Sequence, residues 1–289
     1  MSTKHSQPDS ESRAPEPPER LPETTLPIEV IRESGHPLLT EVAGLDYRAF
    51  GEENSFSESE FRELIDNGAV VFLQRTPGGS VVSEAMLTLE AHEQSSVLLE
   101  RGLPPWLAYC AGAAVDESHR GQGLQRELLM VREAAAQAAG KEGVASSVRQ
   151  KNLASIRSML KTGYLVTCDA PGLFGAGERG DRVVMLRLFG VDTSAAEVDG
   201  EQLVELEVTQ SDEVDSQYNA AVGRLLRDGY VGVNCRDFET GPTGGERTCL
   251  MTFAQTDHVA AKQSRLIKDR VAELQTILDS IDAKEATAG

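Results

Sequence analysis

The run Val115-Asp116-Glu117-Ser118-His119-Arg120-Gly121-Gln122-Gly123-Leu124-Gln125 constrains this chain more than any other stretch. An apolar, strand-like segment, Leu107 to Val115, leads into it. A helical segment of Leu, Met, Val and Ala, Gln125 to Ala139, leaves it. A strand that turns through glycines into an apolar helix implies an α/β sheet with that helix packed on one face. The first turn of a helix has N–H groups without intrahelical partners and a partial positive charge. Such a turn is a natural seat for a pyrophosphate. Glycines at 121 and 123 remove side chains that would block close backbone approach.

The elements around this turn follow from pattern. Residues 1 to 26 are rich in Pro, Glu and Ser and nearly without large apolar residues, so they are expected to be a disordered tail. Ile28 to Arg32 alternates as a strand does. His36 to Asn67 reads as helical with a break near Gly51, and Ser57 with Glu60 forms a capping box for the second helix. Ala69 to Gln74 and Val81 to Glu90 read as hairpin strands about Pro77-Gly78-Gly79. Further strands are expected at 144 to 148, 164 to 168 and 183 to 189, with a helix at 153 to 161 that Gly163 closes. This order predicts a mixed, mostly antiparallel sheet with flanking helices over 27 to 190. A polar linker follows. An α+β extension, 201 to 289, then shows strands at 202 to 208, 230 to 235 and 247 to 253, a helix at 212 to 228, and a long terminal helix from Asp257 to Asp282.

The turn, its flanking elements and their order resemble the GNAT superfamily of N-acetyltransferases, whose first signature is R/Q-x-x-G-x-G/A. Arg120, Gly123 and Gln125 fall on it, with Gln125 standing where Gly or Ala is usual. The turn differs from the six-residue dinucleotide fingerprint and lacks the Lys-Ser/Thr of a P-loop. The second signature resembles Asn152-Leu153-Ala154-Ser155, with Gly163-Tyr164 after its helix. The resemblance implies acetyl-CoA as co-substrate and no metal. By it, Arg120, Gly121, Gln122, Gly123, Leu124 and Gln125 hold the pyrophosphate. Ala113, Ala114 and Val115 lie along the pantetheine, Asn152 and Ser155 bond its arm, and two strands splay after Val115 to admit it.

Transfer of an acyl group from a thioester to an amine requires a neutral amine, a stabilised oxyanion and a thiolate that can leave. An amine of pKa about 10.4 is neutral only about once in 2,500 molecules at pH 7, a cost of roughly 4.6 kcal/mol. Glu84 and Glu90, an even number apart on one expected strand, are candidate bases, Glu84 the sharper one. Tyr109, on the strand before the turn, is another candidate. The family often places a tyrosine seven residues after the Asn as the acid for the thiolate. Met159 stands there, and Tyr164 is the nearest replacement. Glu52, Glu53 and Phe56 lie between the first two helices, where the family lines its acceptor pocket, and suit a cation.

Composition narrows the partners. The formal charge is −18, so nucleic acid and anionic membranes are repelled, and a cationic amine on a small molecule or protein suits the surface. No run of about 20 apolar residues exists to span a membrane. No secretory signal is visible at the start. Four cysteines without a CxxC pair suggest reduced thiols and a cytoplasmic protein, with no zinc site; Cys235 and Cys249 stand where a hairpin could bring them face to face. A homodimer is open. The alternative function is a catalytically weak acyl-CoA-binding module that uses its C-terminal segment for protein contacts. That segment echoes the first unit: Met159-Leu160-Lys161-Thr162-Gly163-Tyr164 and Leu225-Leu226-Arg227-Asp228-Gly229-Tyr230 each close a helix and open a strand. With no R-G-x-G turn in the second copy, one acetyl-CoA per chain is expected.

Overall fold

A computed structural model describes residues 24–52, 54–90, 104–170, 182–191, 193, 203–209, 216–238, 248–259 and 263–288. The chain order is β1 (Ile28–Ile31), α1 (Leu39–Phe50), α2 (Glu58–Asp66), β2 (Val70–Arg75), β3 (Val81–Thr88), β4 (Leu107–Val115), a 3-10 turn at Glu117–His119, α3 (Leu124–Ala138), β5 (Gly143–Arg149), α4 (Leu153–Leu160), β6 (Leu165–Ala170) and β7 (Arg182–Leu188). Then come β8 (Leu203–Thr209), α5 (Ser216–Arg227), β9 (Tyr230–Phe238), β10 (Thr248–Gln255), a second 3-10 turn and α6 (Ser264–Ala288). All ten strands form one sheet in the order β1-β2-β3-β4-β5-β7-β6-β9-β10-β8. Every neighbour pair is antiparallel except β4 with β5. This is the mixed, mostly antiparallel α/β sheet expected from the sequence, with the extension joined to it.

Two cores lie on the two faces. Leu39, Val42, Leu45 and Phe61 of α1 and α2 share one with Ile267, Leu274 and Leu278 of α6. Leu128 and Val131 of α3, Ile156 of α4 and Val222 of α5 share the other. The period of each helix accounts for its side: residues 39, 42, 43 and 46 of α1 fall one turn apart on its buried face. The Ser57–Glu60 capping box starts α2 as expected.

The strand order is palindromic across the middle of the sheet. Reading outward from the seam, β6, β7 and β5 mirror β9, β10 and β8. Each half runs strand, helix, strand, strand in sequence, so the short sequence echo marks a partial structural repeat. The halves meet at β6 and β9 through one register pair, Val166 with Gly232. A Cβ on Gly232 would lie 2.8 Å from the Val166 Cβ, so glycine allows the approach. The helices cross the seam: α4 packs on β9 and α5 on β6. Arg157 Nη2 donates to Cys249 Sγ at 3.0 Å, and Arg227 pairs with Asp169 at 3.9 Å. From the second half, α6 returns over the first. Trp106 Nε1 donates to Glu273 at 2.8 Å, and the Arg270 guanidinium stacks 4.4 Å from the Trp106 ring centre.

Three expectations are corrected. β3 ends at Thr88, so Glu90 lies beyond it and shares no strand face with Glu84. The terminal helix starts at Ser264, after a 3-10 turn at Thr256–His258, seven residues later than the apolar stripe suggested. Cys235 faces Met251 while Cys249 faces Asp237, two rungs apart, and the two buried thiols form no disulfide. Of the tail expected over 1 to 26 only residues 24–26 are described, and there the Thr25 N–H donates to Glu127 at 2.9 Å; residues 1–23 and most of the linker fall outside the described residues.

Candidate active site

The strands around the glycine turn open into a fork. β4 and β5 pair only at Leu107–Gly143, Ala108–Val144 and Tyr109–Ala145. Beyond Tyr109 the last six residues of β4 and the last four of β5 run on without pairing to each other. The divergence was expected after Val115; it begins six residues earlier. A β-bulge accompanies it. Ala113 faces Ala85 and Ala111 faces Met86, leaving Gly112 without a partner on β3 and with φ of 46°. A bulge bends its strand and strengthens the local twist, which turns β4 away from β5. Arg132 of α3, buried, gathers the carbonyls that result: its Nη1 donates to Met86 O, Ala111 O and Gly112 O at 3.2, 3.3 and 3.2 Å.

The turn beyond β4 has the geometry of an anion cradle. Asp116 accepts from the Ser118 hydroxyl and the Ser118 N–H and starts the 3-10 turn, and those bonds hold its carboxyl below the usual range. Arg120 Nε donates to Val115 O at 3.3 Å. Gly121 and Gly123 have φ of 78° and 87°, and Gly123 is the N-cap of α3 without a side-chain cap. Nothing lies within 4 Å of where a Cβ would stand at either glycine. Glycine is thus required by conformation, and the space over the first N–H groups of α3, at Leu124 and Gln125, is open. Gln125 does more than lend its backbone. Its Nε2 donates to Ser155 Oγ at 3.1 Å and ties α3 to α4. Asn152 Oδ1 accepts the Ser155 N–H at 3.2 Å and caps α4.

On the opposite face, toward α1 and α2, a second group of residues surrounds the bulge. Tyr109 Oη and Ser147 Oγ lie 2.7 Å apart across the fork, and burial raises the phenol's pKa, so it stays protonated. Glu84 Oε1 accepts the Ala114 N–H at 3.0 Å. Asp46, from the buried stripe of α1, accepts the Phe56 N–H at 2.5 Å. Asp46 and Glu84 are 1% and 0% exposed. Asp46 Oδ1 and Glu84 Oε2 have no donor. Two buried acceptor oxygens side by side are satisfied only if one carries a proton. Burial, then the neighbouring Asp46 charge, raises Glu84 well above the carboxylate range. Burial raises Asp46 to about 6, opposed by the bonds from Phe56 and Glu84. Near neutral pH the pair therefore holds one proton, on Glu84, and one negative charge, on Asp46.

Phe56 lies over this centre. A Cβ on Gly112 would stand 3.7 Å from its Cε2, and its ring meets Phe61 edge-on at 5.6 Å. Asn54 of the same loop accepts from Arg149 Nη2, at the tip of β5, at 2.5 Å. Arg149 faces Arg182 in the β5–β7 register. Glu52 is exposed on this loop, and Glu53 lies outside the described residues. Ala113 and Val115 lie on the open arm of β4 with Ala114. Gln122 is exposed in the turn.

Tyr164 lies elsewhere. It is fully buried on the α3 face, among groups that include Cys110 and Glu133, and burial raises its pKa well above 10. A phenol in that position packs the closed end of the fork, so its expected role as an acid for the thiolate is withdrawn. Met159 is likewise buried on that face. Sequence reasoning missed Asp46, Asn54, Ser147, Arg149 and Arg182. One of them had a signal: an aspartate on the apolar stripe of an amphipathic helix is out of place unless paired. The others depend on strand register.

A forked α/β sheet with a glycine-capped helix at the mouth of the fork defines the class of acyltransferase folds. The sequence model of the Acetyltransferase (GNAT) family matches residues 39–164. These residues are a GNAT-family acetyltransferase domain. No curated protein matches the sequence. Among solved structures, the chain is similar to an IAA acetyltransferase from Bacillus cereus, with 16% identity, 57% of this chain and 100% of that one covered, and a TM-score of 0.43. It is also similar to YncA of Salmonella typhimurium, a putative acetyltransferase solved with acetyl-CoA, with 18% identity, 57% and 94% covered, and a TM-score of 0.43. A third is the ribosomal-protein-S18-alanine N-acetyltransferase of Escherichia coli, with 19% identity, 56% and 93% covered, and a TM-score of 0.40. No described helix is long and apolar enough to cross a membrane.

Proposed function

We propose that the chain transfers an acetyl group from acetyl-CoA to the amine of a small molecule or protein. The observation that carries this reading is the fork: β4 and β5 part beyond Tyr109 beside an uncapped, glycine-started helix. Acetyl-CoA would supply the activated acyl thioester. The N–H groups at the start of α3, with Arg120, Gly121, Gln122, Gly123, Leu124 and Gln125, would hold its pyrophosphate. The backbone of Ala113, Ala114 and Val115 would pair with its arm. Asn152 spends Oδ1 on its own helix, which leaves its amide N–H for the arm, next to Ser155.

Proton handling falls to the groups on the other face. As the C–N bond forms and the C–S bond breaks, the amine must give up a proton and the departing sulfur must gain one. The Asp46–Glu84 pair, with one negative charge beneath the bulge, is an acceptor for the first. In this scheme Glu84 is a positioning residue as well as a proton holder, because it orients Ala114. The neutral phenol of Tyr109, bonded to Ser147, is a donor for the second. Glu52 and Glu53 would draw the acceptor toward the fork, with Phe56 as its wall. Calorimetric titration with acetyl-CoA, followed by thiol release across a panel of amines, tests the reading. A chain that fails to bind acetyl-CoA refutes it.

A further inference from the structure

In a chain with 46 acidic against 28 basic residues, two arginines meet at one rung of the sheet on the acceptor side of the fork. Arg149 ends β5, Arg182 begins β7, and the two face each other in register. Ser147 and Arg149 alternate with Val144 and Val148, which belong to the α3-side core. Both therefore point to the α1–α2 face. Arg182, next to Val183 of the same α3-side core, points there too. The Arg182 guanidinium stands 3.5 Å from Ser147 Oγ, which bonds the Tyr109 phenol at the base of the fork. Arg149 is fixed from the other side by Asn54, two residues before Phe56. Two guanidinium groups are thus held within one side chain of the fork.

We propose that the acceptor is an amine that also carries an oxyanion, a carboxylate or a phosphate, and that Arg149 and Arg182 bind that group. This rests on the N-acetyltransferase reading above and names the acceptor's class. Guanidinium forks match both oxyanions through paired, charge-assisted N–H donors. Like charges held together at a partly buried rung repel. Burial, and then the charge of Arg149, lowers the pKa of Arg182. An oxyanion bound at this rung meets guanidinium donors from two strands. It also fixes the acceptor at one end, so that its amine is presented to the bulge from a constant distance. Orientation of this kind converts binding energy into rate. The acidic surface elsewhere attracts the ammonium end of the same molecule, so the net charge and the arginine pair select different ends of one acceptor.

The test uses the full chain. Acetyl-CoA binding is measured first by calorimetry; its absence refutes the acetyltransferase reading rather than this assignment. Thiol release is then followed with matched amines: ethylamine, β-alanine and phosphoethanolamine, and cadaverine with lysine. The oxyanion-bearing member of each set is expected to have a kcat/KM at least tenfold above the plain amine. The ratio of β-alanine to phosphoethanolamine tells carboxylate from phosphate. Arg149→Gln and Arg182→Gln should each raise the KM of the favoured acceptor at least tenfold, with acetyl-CoA affinity as the control for folding. Arg149→Lys, which keeps the charge but loses the fork, should fall between. Equal use of both members, preference for the plain amine, or an unchanged KM in both glutamine variants overturns the assignment. If none turns over, N-acetyl-β-alanine is titrated into the CoA-loaded protein. Binding that is lost in Arg149→Gln supports the assignment, and no binding overturns it.

Discussion

Replacing Asp46 with asparagine tests the buried carboxyl pair through stability and rate together. Asparagine keeps an oxygen to accept the Phe56 N–H and places an amide donor toward Glu84 Oε2, so shape and bonding are preserved while the charge is removed. Asp46 ionises near 6 in the folded chain rather than at its ordinary 3.8. Between those values the unfolded chain has lost the proton and the folded chain has kept it, so this site makes stability fall as pH rises. At about 1.4 kcal/mol per pH unit, the full penalty above both values is about 3 kcal/mol. About 2 kcal/mol of it falls between pH 4.5 and 7.5. Burial sets it, opposed by the hydrogen bonds from the Phe56 N–H and from Glu84 on β3 and reinforced by the charge of Glu60 on α2, with Arg132 on α3 acting on Glu84. Urea unfolding of both proteins at fixed ionic strength, across that range, gives the difference at each pH, in which titrating groups that do not interact with Asp46 cancel. Asp46→Asn should gain about 2 kcal/mol relative to wild type from the acid end to the neutral end. A flat difference, or one of opposite sign, refutes the argument. The opposite sign would mean that Arg132 holds Asp46 charged in a favourable ion pair. In the acetyl-transfer assay wild-type kcat/KM should climb through pH 6, and Asp46→Asn should lose that limb with a drop in kcat of about 10²-fold.

Glu84→Gln should be far milder in kcat than Asp46→Asn, because a protonated carboxyl and an amide both donate to Asp46 and neither is charged; a larger loss than in Asp46→Asn would move the base to Glu84. Gly123→Val should abolish acetyl-CoA binding in calorimetry and cost roughly 1–2 kcal/mol in a thermal melt, since φ is 87° there; wild-type affinity would remove the pyrophosphate from this turn. Tyr109→Phe should lower kcat by about tenfold or more with acetyl-CoA affinity unchanged, and a kcat equal to wild type would leave the thiolate to depart unaided. Titration should give one acetyl-CoA per chain; a second equivalent would place a site in the C-terminal half.

The fold was legible wherever a local pattern decides it. The glycine turn, the capping box at Ser57 and the period of α1 and α3 are each written within a dozen residues. The fork itself was legible only as a family resemblance, and its position was not. Where β4 leaves β5 depends on the bulge at Gly112 and on the carbonyls that Arg132 gathers, and both require the register of β3 against β4. Glu84 was found by its place in a strand, but its protonation depends on Asp46, which a different element brings to it. Arg149 and Arg182 are 33 positions apart and become neighbours only because β7 pairs with β5. Tyr164 was misjudged because proximity in sequence to a signature says nothing about which face of the sheet a ring occupies.

The seam at Val166 and Gly232 gives the molecule a property that two separate subunits with the same contact would lack. β6 would be an open edge of the first half, a template for another chain, and β9 occupies it from within. Because the covering half is covalently attached, its local concentration is independent of the protein's own. Closure is therefore unimolecular. Dilution leaves it intact, and a mutant that weakens the seam opens it without changing the molecular mass. The outermost strands of the sheet are then β1 and β8, at opposite ends, and β8 carries Glu205 and Glu207 on its exposed face. Charge at an edge discourages further pairing there.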